Sequence, residues 1–446
     1  MIRDYVHNYL EYALDYAYAG LYEEAIKLLK VYLEGKSSGY PIVYYCLGYF
    51  LGKTGDREQA LYWYKIASKM PTDYCFPNRI EEVDILREAF AKNPSDYNSQ
   101  YYLGNFWMAK KQFSLAKDCL ENSLRLNPDS PKVLRNLSLI YYNKLHQKDK
   151  ALRSLENAFS KDQKNSRVFM ELDQLYKKLN KPFGFRKSFL EGNMDLVYER
   201  DDVFLEYLTL LNIEGRYQKA LDLMLNRIFH PWEGGEGRVP GQYLMARIEL
   251  AKSDINNNKF ESAIEHLQQA REYPKNLGEG KLYGARENDV FYWLGCAYEK
   301  LGQLTIAVKY WQKASIGLSD PSPALYYNDQ SPDKIFYQGL ALLKLGNESA
   351  AFSLFNKLID YGESHYFDEI KIDYFAVSLP DLLIWDEDLK IRNKVHCNYL
   401  IGLGKLGMGD KAGAKTSFES AGAMDKYHLG VIVHRNLLDK EMNLIE

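Results

Sequence analysis

The stretch GYFLGKTGDREQA, residues 48–60, decides the fold because its spacing recurs along the chain. It begins at Gly48 and ends at Ala60, twelve positions later, with a turn at Gly55 between them. Small residues at both ends let two successive helices cross closely, so the stretch predicts a helix, a short turn and a second helix. The same interval recurs seven times, and an interval one residue longer occurs once: Ala13–Ala25, Gly104–Ala116, Leu208–Ala220, Ala251–Ala263, Gly295–Ala307, Gly339–Ala351, Gly402–Ala414 and Ser138–Ala151.

The turn and capping residues between the helices support this pattern. Glycine stands where the first helix of most pairs must end in a left-handed residue, and Asp56 and Asp410 are placed to cap the second helix. We expect first helices near 3–18, 41–53, 97–110, 131–144, 202–213, 243–257, 288–300, 333–345 and 393–406. An extra helix is expected over 78–92, and a degenerate tenth pair over 166–195.

The sequence therefore predicts an all-α fold, a right-handed α-solenoid of about ten helix pairs in one continuous superhelix. We expect N-terminal repeats over 1–70, a linking helix in 71–96, middle repeats over 97–225, C-terminal repeats with long links over 226–427, and a capping helix over 428–446.

Bulk composition excludes several functions. The 446 residues include 57 basic and 60 acidic side chains, a net charge of −3, which argues against a nucleic-acid binder. The five cysteines are odd in number and lack metal spacing, so we expect buried thiols in a reducing compartment. No signal region and no apolar run of about 20 residues appears, which favours a cytoplasmic protein.

Four consecutive links between pairs are long: 226–242, 273–287, 316–332 and 360–392. Each runs from a second helix to the next first helix, so we expect them on one rim. Their aromatics, carboxylates and amides suit a polar ligand with apolar faces, such as a sugar or a peptide. The candidate ligand-binding residues are His230, Trp232, Glu233, Glu236, Glu279, Asp289, Tyr326, Tyr327, Asn328, Asp329, Asp373, Asp381 and His396. The alternative is that these carboxylates cap helices and the tryptophans fill small satellite cores.

A second candidate surface is the groove formed by the first helices. Repeat position predicts groove contacts with a partner, or alternatively packing, for Tyr45, Tyr49, Asn98, Tyr101, Asn105, Lys132, Arg135 and Tyr142.

The case for an enzyme rests on carboxylates alone. Glu233 and Glu236 are candidate catalytic residues, because two carboxylates roughly 5–10 Å apart suffice for glycoside hydrolysis. No nucleophile, metal or dinucleotide motif appears. We therefore expect no cofactor and no metal, and favour a chain that is not an enzyme on its own.

The repeat pattern resembles the tetratricopeptide repeat, and several link motifs resemble one group of such proteins. These motifs are Tyr74–Pro77, His230–Gly237, Asn276–Lys281, Tyr326–Gln330 and Lys371–Asp381. They are similar to the tetratricopeptide half of large bacterial proteins with an N-terminal β-sandwich domain of unknown function. The resemblance implies a bacterial source and a carbohydrate-related role, since such proteins commonly occur near carbohydrate-use genes. The sandwich half is not in these residues, which implies a truncated sequence or a split gene.

Two functions follow as hypotheses. The first is a scaffold that binds a protein partner, such as the β-sandwich domain, and carries a polar-ligand pocket on the link rim. The alternative is one half of a carbohydrate-processing site that the sandwich domain completes. In it Trp232 stacks on a sugar while Glu233 or Glu236 acts as acid or base.

Overall fold

The computed structural model describes residues 5–36, 39–323, 329–371 and 383–439, and every regular element in those ranges is a helix. Contacts divide the chain into two compact units, Met1–Leu172 and Asp173–Glu446. The division lies inside the segment 166–195, where the sequence predicts a degenerate pair.

The first unit is built from helix pairs joined by short turns. Its helices are α1 (Val6–Tyr18), α2 (Tyr22–Leu33), α3 (Pro41–Lys53), α4 (Arg57–Ala67), α5 (Glu81–Lys92), α6 (Tyr97–Ala109), α7 (Phe113–Leu126), α8 (Pro131–Asn143), α9 (Lys148–Lys161) and the first part of α10 (Ser166–Lys178).

The second unit continues the same plan with longer links. It contains the rest of α10, then α11 (Phe183–Glu191), α12 (Met194–Glu199), α13 (Asp201–Ile213), α14 (Tyr217–Leu225), α15 (Arg238–Asn256), α16 (Phe260–Ala270), a 3-10 turn (Lys275–Leu277), α17 (Asn288–Lys300), α18 (Leu304–Ala314), α19 (Pro332–Lys344), α20 (Glu348–Ser364), α21 (Leu389–Gly407), α22 (Lys411–Met424) and α23 (Leu429–Asp439).

These helices confirm the predicted all-α solenoid of helix pairs, including the extra helix α5. Two first helices begin earlier than expected. The α15 helix starts at Arg238 because Gly237 takes a left-handed conformation (φ 72°) and Pro240 fits the first helical turn. The α21 helix starts at Leu389 because the Asp388 carboxylate accepts hydrogen bonds from the backbone N–H groups of Lys390 and Ile391.

The small residues at the start of each interval are explained by one recurring contact. A Cβ added at Gly295 would lie 2.3 Å from the indole of Trp311, sixteen positions later on the paired helix. The same sixteen-residue relation holds for four further pairs: Gly48 with Tyr64, Gly104 with Leu120, Gly339 with Phe355, and Gly402 with Phe418. Each large side chain in this set is buried. A glycine on the first helix is therefore the socket for a large side chain of the second.

Buried and half-buried asparagines hold the ends of several second helices. The amide of Asn288 donates to the carbonyls of Ala314 and Ile316, at 2.8 and 2.9 Å, where α18 ends. Asn98, Asn276 and Asn393 do the same at the ends of α4, α14 and α20. The last carbonyls of a helix have no partner within it, so each amide satisfies groups that burial would otherwise penalise.

We predict that Asn288→Asp lowers the free energy of unfolding by about 1–3 kcal/mol, because a carboxylate cannot donate to the two carbonyls. Denaturant unfolding followed by circular dichroism measures the change. The matched control is Asn356→Asp on the exposed side of α20, which should stay within about 0.5 kcal/mol of wild type. Equal effects for both variants would contradict this role.

The turn between the two helices of a pair needs one residue with positive φ. Glycine provides it at six turns, in agreement with the sequence: Gly20, Gly55, Gly215, Gly302, Gly346 and Gly409. Two other turns use Lys111 (φ 58°) and His146 (φ 54°), and two more use asparagine. A side chain with a Cβ is strained in this region, so Lys111 and His146 carry a local cost.

We predict that Lys111→Gly raises the free energy of unfolding by about 1 kcal/mol through relief of that strain. The control is Lys110→Gly, because Lys110 has φ −84° and gains nothing from glycine. Thermal and denaturant unfolding of both variants provide the measurement. A Lys111→Gly variant no more stable than Lys110→Gly would refute the prediction.

The second unit closes on itself. The Asn180 amide donates to the carbonyl of Met424 at 3.1 Å, and the Tyr427 hydroxyl donates to the carbonyl of Lys181 at 2.5 Å. The Arg186 guanidinium lies 4.7 Å from the centroid of the Tyr427 ring. These contacts join the turn between α10 and α11, and α11 itself, to the end of α22 and the loop before α23. The helix pairs of this unit therefore follow a closed path.

A buried ion network supports this closing contact. The fully buried guanidinium of Arg186 donates to both oxygens of Asp173, at 2.9 and 2.5 Å, and to Glu206 at 3.0 Å. Lys177 and Arg238 also donate to Glu206, at 2.8 and 2.6 Å. Burial alone would raise the pKa of Glu206, but the three cations hold it well below its usual value. Glu206 is therefore charged, and the network around it is extensively paired.

Candidate functional site

Charged and aromatic side chains converge on the first helices α15, α17 and α19 of the second unit. We call Glu249, Lys252, Asp289, Trp293, Asp333, Lys334 and Tyr337 the α15–α19 cluster. Asp289 and Asp333 each lie six positions before the socket glycine of their helix, and Trp293 and Tyr337 lie two positions before it. Equal repeat positions place equivalent side chains on the same face of successive helices.

Two ion pairs form the polar part of the cluster. Lys252 Nζ lies 2.5 Å from Glu249 Oε1, and each side chain is 5% exposed. Lys334 Nζ lies 2.6 Å from Asp289 Oδ2 and 3.7 Å from Asp333 Oδ2. Burial alone would lower the pKa of Lys334, but the two carboxylates raise it above its usual value. Lys334 is therefore cationic at neutral pH.

Aromatic side chains surround these charges. The rings of Trp293 and Tyr337 are buried, with centroids 6.4 Å apart. Lys252 Nζ lies 5.6 Å from the centroid of Trp293. The imidazole of His434 on α23 packs 5.8 Å from Tyr337, and burial lowers its pKa, so it is neutral at neutral pH. The ion pairs thus lie in surroundings of low dielectric.

The sequence placed only Asp289 of this cluster among the candidates. Glu249, Lys252, Trp293, Asp333, Lys334 and Tyr337 were not among them. The shared positions of Asp333, Trp293 and Tyr337 relative to the socket glycines were a usable signal. The ion pair between Lys334 and Asp289, which joins two helices, was not.

The first two links touch each other directly. The backbone N–H of Phe229 donates to the carbonyl of Asn276 at 2.8 Å, and that of Gly237 donates to the Glu279 carboxylate at 2.8 Å. Trp232 is half-buried and its ring covers Gly235, where no Cβ would fit. The structure therefore brings Glu279 to the segment that carries Trp232.

The remaining candidates of the first link face solvent or serve it structurally. Glu233 and Glu236 are exposed. His230 is bonded to Asp201 both through Nδ1, at 3.0 Å, and through its backbone N–H, at 2.9 Å. Arg227 donates to the same carboxylate at 2.7 Å. His230 and Arg227 therefore anchor the link to α13.

The later links are only partly described. Tyr326, Tyr327, Asn328, Asp373 and Asp381 lie outside the described residues, so their candidate roles stay predictions. Asp329 is half-buried.

His396 connects the third link to α21. Its Nε2–H donates to the carbonyl of Ser322 at 2.8 Å, and burial lowers its pKa to about 4. The imidazole is therefore neutral at neutral pH and acts as a hydrogen-bond donor.

We predict that His396 makes the free energy of unfolding depend on pH. Its folded pKa of about 4 lies below the ordinary 6.5, so its contribution is complete above pH 6.5 and is lost as the pH falls towards 4. His396→Gln keeps a donor for Ser322 but does not titrate. The difference in unfolding free energy between wild type and this variant should therefore shrink by up to about 3 kcal/mol as the pH falls from 6.5 to 4. A difference that is constant with pH would contradict it.

The groove candidates of the first unit are mostly engaged by other residues of that unit. Tyr45 is buried and its hydroxyl donates to Asp96, whose pKa burial raises to about 6. Asn98 is the buried asparagine that holds the end of α4. Arg135 donates twice to Glu171, at 2.7 and 2.5 Å.

Two other groove candidates also have partners within the unit. Lys132 donates to Asp73 at 2.5 Å, and Asn105 accepts from Asn136 at 2.9 Å. Tyr49, Tyr101 and Tyr142 are half-buried. The groove role of these residues stays a prediction, and the exposed Lys132 and the half-buried tyrosines offer most of the surface to a partner.

The described residues contain no group of three or more His, Cys, Asp or Glu side chains placed to hold a metal ion. Cys46, Cys75, Cys296 and Cys397 are buried free thiols, and Cys119 is half-buried. No helix in the described part of the chain is long and apolar enough to cross a membrane.

Comparison with known families identifies one repeat. Residues 289–314, which form most of the α17–α18 pair, match the tetratricopeptide repeat. The chain carries a tetratricopeptide repeat at α17–α18. That repeat contributes Asp289 and Trp293 to the α15–α19 cluster.

Several solved structures are similar to the chain at low identity. YrrB, described as a tetratricopeptide protein with an unusual peptide-binding site, is 14% identical, covers 52% of this chain and 91% of its own, and has a TM-score of 0.28. The P58(IPK) tetratricopeptide domain is 11% identical over 98% and 99%, with a TM-score of 0.27. MamA from Desulfovibrio magneticus RS-1 is 19% identical over 44% and 96%, with a TM-score of 0.26. Scores this low support no statement about function.

Proposed function

We propose that the chain is a helical-repeat scaffold that binds a segment of a partner protein through the α15–α19 cluster. The observation that carries the proposal is the pair of ion pairs, Glu249–Lys252 and Asp289–Lys334, set among buried aromatics. Ion pairs in such surroundings add little stability compared with apolar side chains of similar size, so stability alone does not account for them. We attribute the two ion pairs instead to the recognition of polar groups on a partner.

The two ion pairs differ in exposure, and this difference suggests different roles for them. Glu249 and Lys252 are almost fully buried, and Lys252 is held close to Trp293. Asp289 and Lys334 keep 12% and 16% of their side-chain surface open to solvent. We assign contact with the partner to the second pair and support of the site to the first.

We predict that a displayed library of random 12-residue peptides, panned on the protein, yields a consensus whose binding requires this cluster. Fluorescence polarisation of the enriched peptide should show at least a tenfold loss of affinity for Asp289→Asn, because loss of one partner of a shielded charge pair typically costs 2–5 kcal/mol. The control is Asp320→Asn, whose side chain is 84% exposed. A library that yields no consensus, or a consensus that binds Asp289→Asn normally, would sink the proposal.

The carbohydrate-processing hypothesis takes second place. Its candidate acids, Glu233 and Glu236, are exposed, whereas a general acid in such a site usually sits where its pKa is raised. A panel of nitrophenyl glycosides tests it directly. Turnover by the chain that disappears in Glu236→Gln or Glu233→Gln would favour this alternative.

A further inference from the structure

The charges in the less buried part of the α15–α19 cluster do not cancel. Asp289 and Asp333 supply two carboxylates, and Lys334 supplies one ammonium. Although burial by itself would raise the pKa of Asp333, the charges of Lys334 and of His434 when it is protonated, together with the hydrogen bond from Ser331, hold that pKa below its usual value. The triad therefore carries a net charge of −1 at neutral pH.

The neighbouring groups do not supply the missing positive charge. Lys252 is paired with Glu249, so that pair is neutral overall. His434 and His428 lie near Asp333, and burial lowers the pKa of both, so both are neutral at neutral pH. The excess negative charge of the triad remains.

Hydrogen bonding within the triad is also incomplete. Lys334 Nζ is bonded to Oδ2 of Asp289, while Oδ1 of this buried residue has no partner in the described part of the chain. The 3.7 Å separation of Lys334 from Asp333 is an ion pair but too long for a hydrogen bond. Asp333 Oδ2 can accept from a further donor, and Asp289 Oδ1 is a buried acceptor whose lack of a donor is costly.

We propose that the Asp289–Lys334–Asp333 triad receives a cationic side chain, lysine or arginine, from the partner segment. This inference rests on the proposed function and names the group recognised. An ammonium or guanidinium would neutralise the triad and donate to the two incompletely bonded carboxylates. The buried rings of Trp293 and Tyr337 strengthen the interaction because they exclude water from one side of it.

Access to the triad is limited but open. The side chains of Asp289, Lys334 and Asp333 are 12%, 16% and 16% exposed. A long, unbranched side chain with a terminal charge suits such limited exposure better than a bulky one, and an anion would meet two carboxylates.

Substitutions at the triad predict effects of opposite sign. Asp333→Asn removes the excess charge and should weaken binding of Nα-acetyl-lysine methylamide or Nα-acetyl-arginine methylamide at least about tenfold. Lys334→Met removes the competing cation and should tighten binding of the same probes about fivefold. If the triad had only a structural role, both substitutions would weaken binding of the probes.

The measurement is an NMR titration at constant ionic strength, read at the indole N–H of Trp293 and assigned with Trp293→Phe. Nα-acetyl-norleucine methylamide is the neutral probe, and Lys309→Met, at an exposed position of α18, is the protein control. Circular dichroism checks that each variant is folded. Should Lys334→Met unfold, Lys334→Gln replaces it.

Equal shifts with the norleucine probe, or changes of the same sign in the two triad variants, would overturn the inference. A peptide consensus without lysine or arginine that still needs the cluster would overturn it while leaving the scaffold function intact. Binding of the cationic probes without any peptide consensus would instead support cation binding by the triad and contradict the scaffold function.

Discussion

The fold depends on one packing contact, a large side chain of the second helix seated on a small residue of the first. Because Gly295 receives Trp311 and Gly339 receives Phe355, each pair has a fixed crossing point and rotation. That rotation decides which residues of the first helix face the next pair. The positions six and two residues before the glycine then recur on one face, and the α15–α19 cluster is a consequence of this register.

Buried charges serve two different ends in the second unit. Around Arg186, two carboxylates meet three cations, and the guanidinium also faces Tyr427 at the closing contact. Directional pairs of this kind fix which surfaces meet, even where they add little stability. The triad at Asp289 has the opposite balance, with more carboxylates than cations and one oxygen without a partner. Arg186 Nη1 is likewise without a partner among the described residues, but Arg186 is fully buried, whereas the triad keeps some surface open to the partner proposed above.

Sequence spacing predicted the helices well because a small residue at a nearly constant interval marks most of the crossings. It predicted the site less well for physical reasons. Tyr45 and Asn98 hold equivalent repeat positions to exposed groove residues, yet burial depends on the next pair, which spacing does not describe. Lys334 pairs with a carboxylate 45 positions away, and only the stacking of α17 on α19 makes them neighbours. Residues 226–242 were expected to form a link, whereas Gly237 in a left-handed conformation allows a helix to begin at Arg238.

The small opening of the triad constrains how such a scaffold recognises its partner. Three side chains that expose 12–16% of their surface offer little area, so most of the affinity must come from the wider face of the first helices. A shielded charge contributes chiefly to selectivity, since a neutral or acidic residue at that point leaves the carboxylates uncompensated. Because the second unit also closes through Asn180 and Tyr427, its helix pairs are held at both ends. The recognition proposed for the triad would therefore require only an exchange of side-chain partners within a fixed framework.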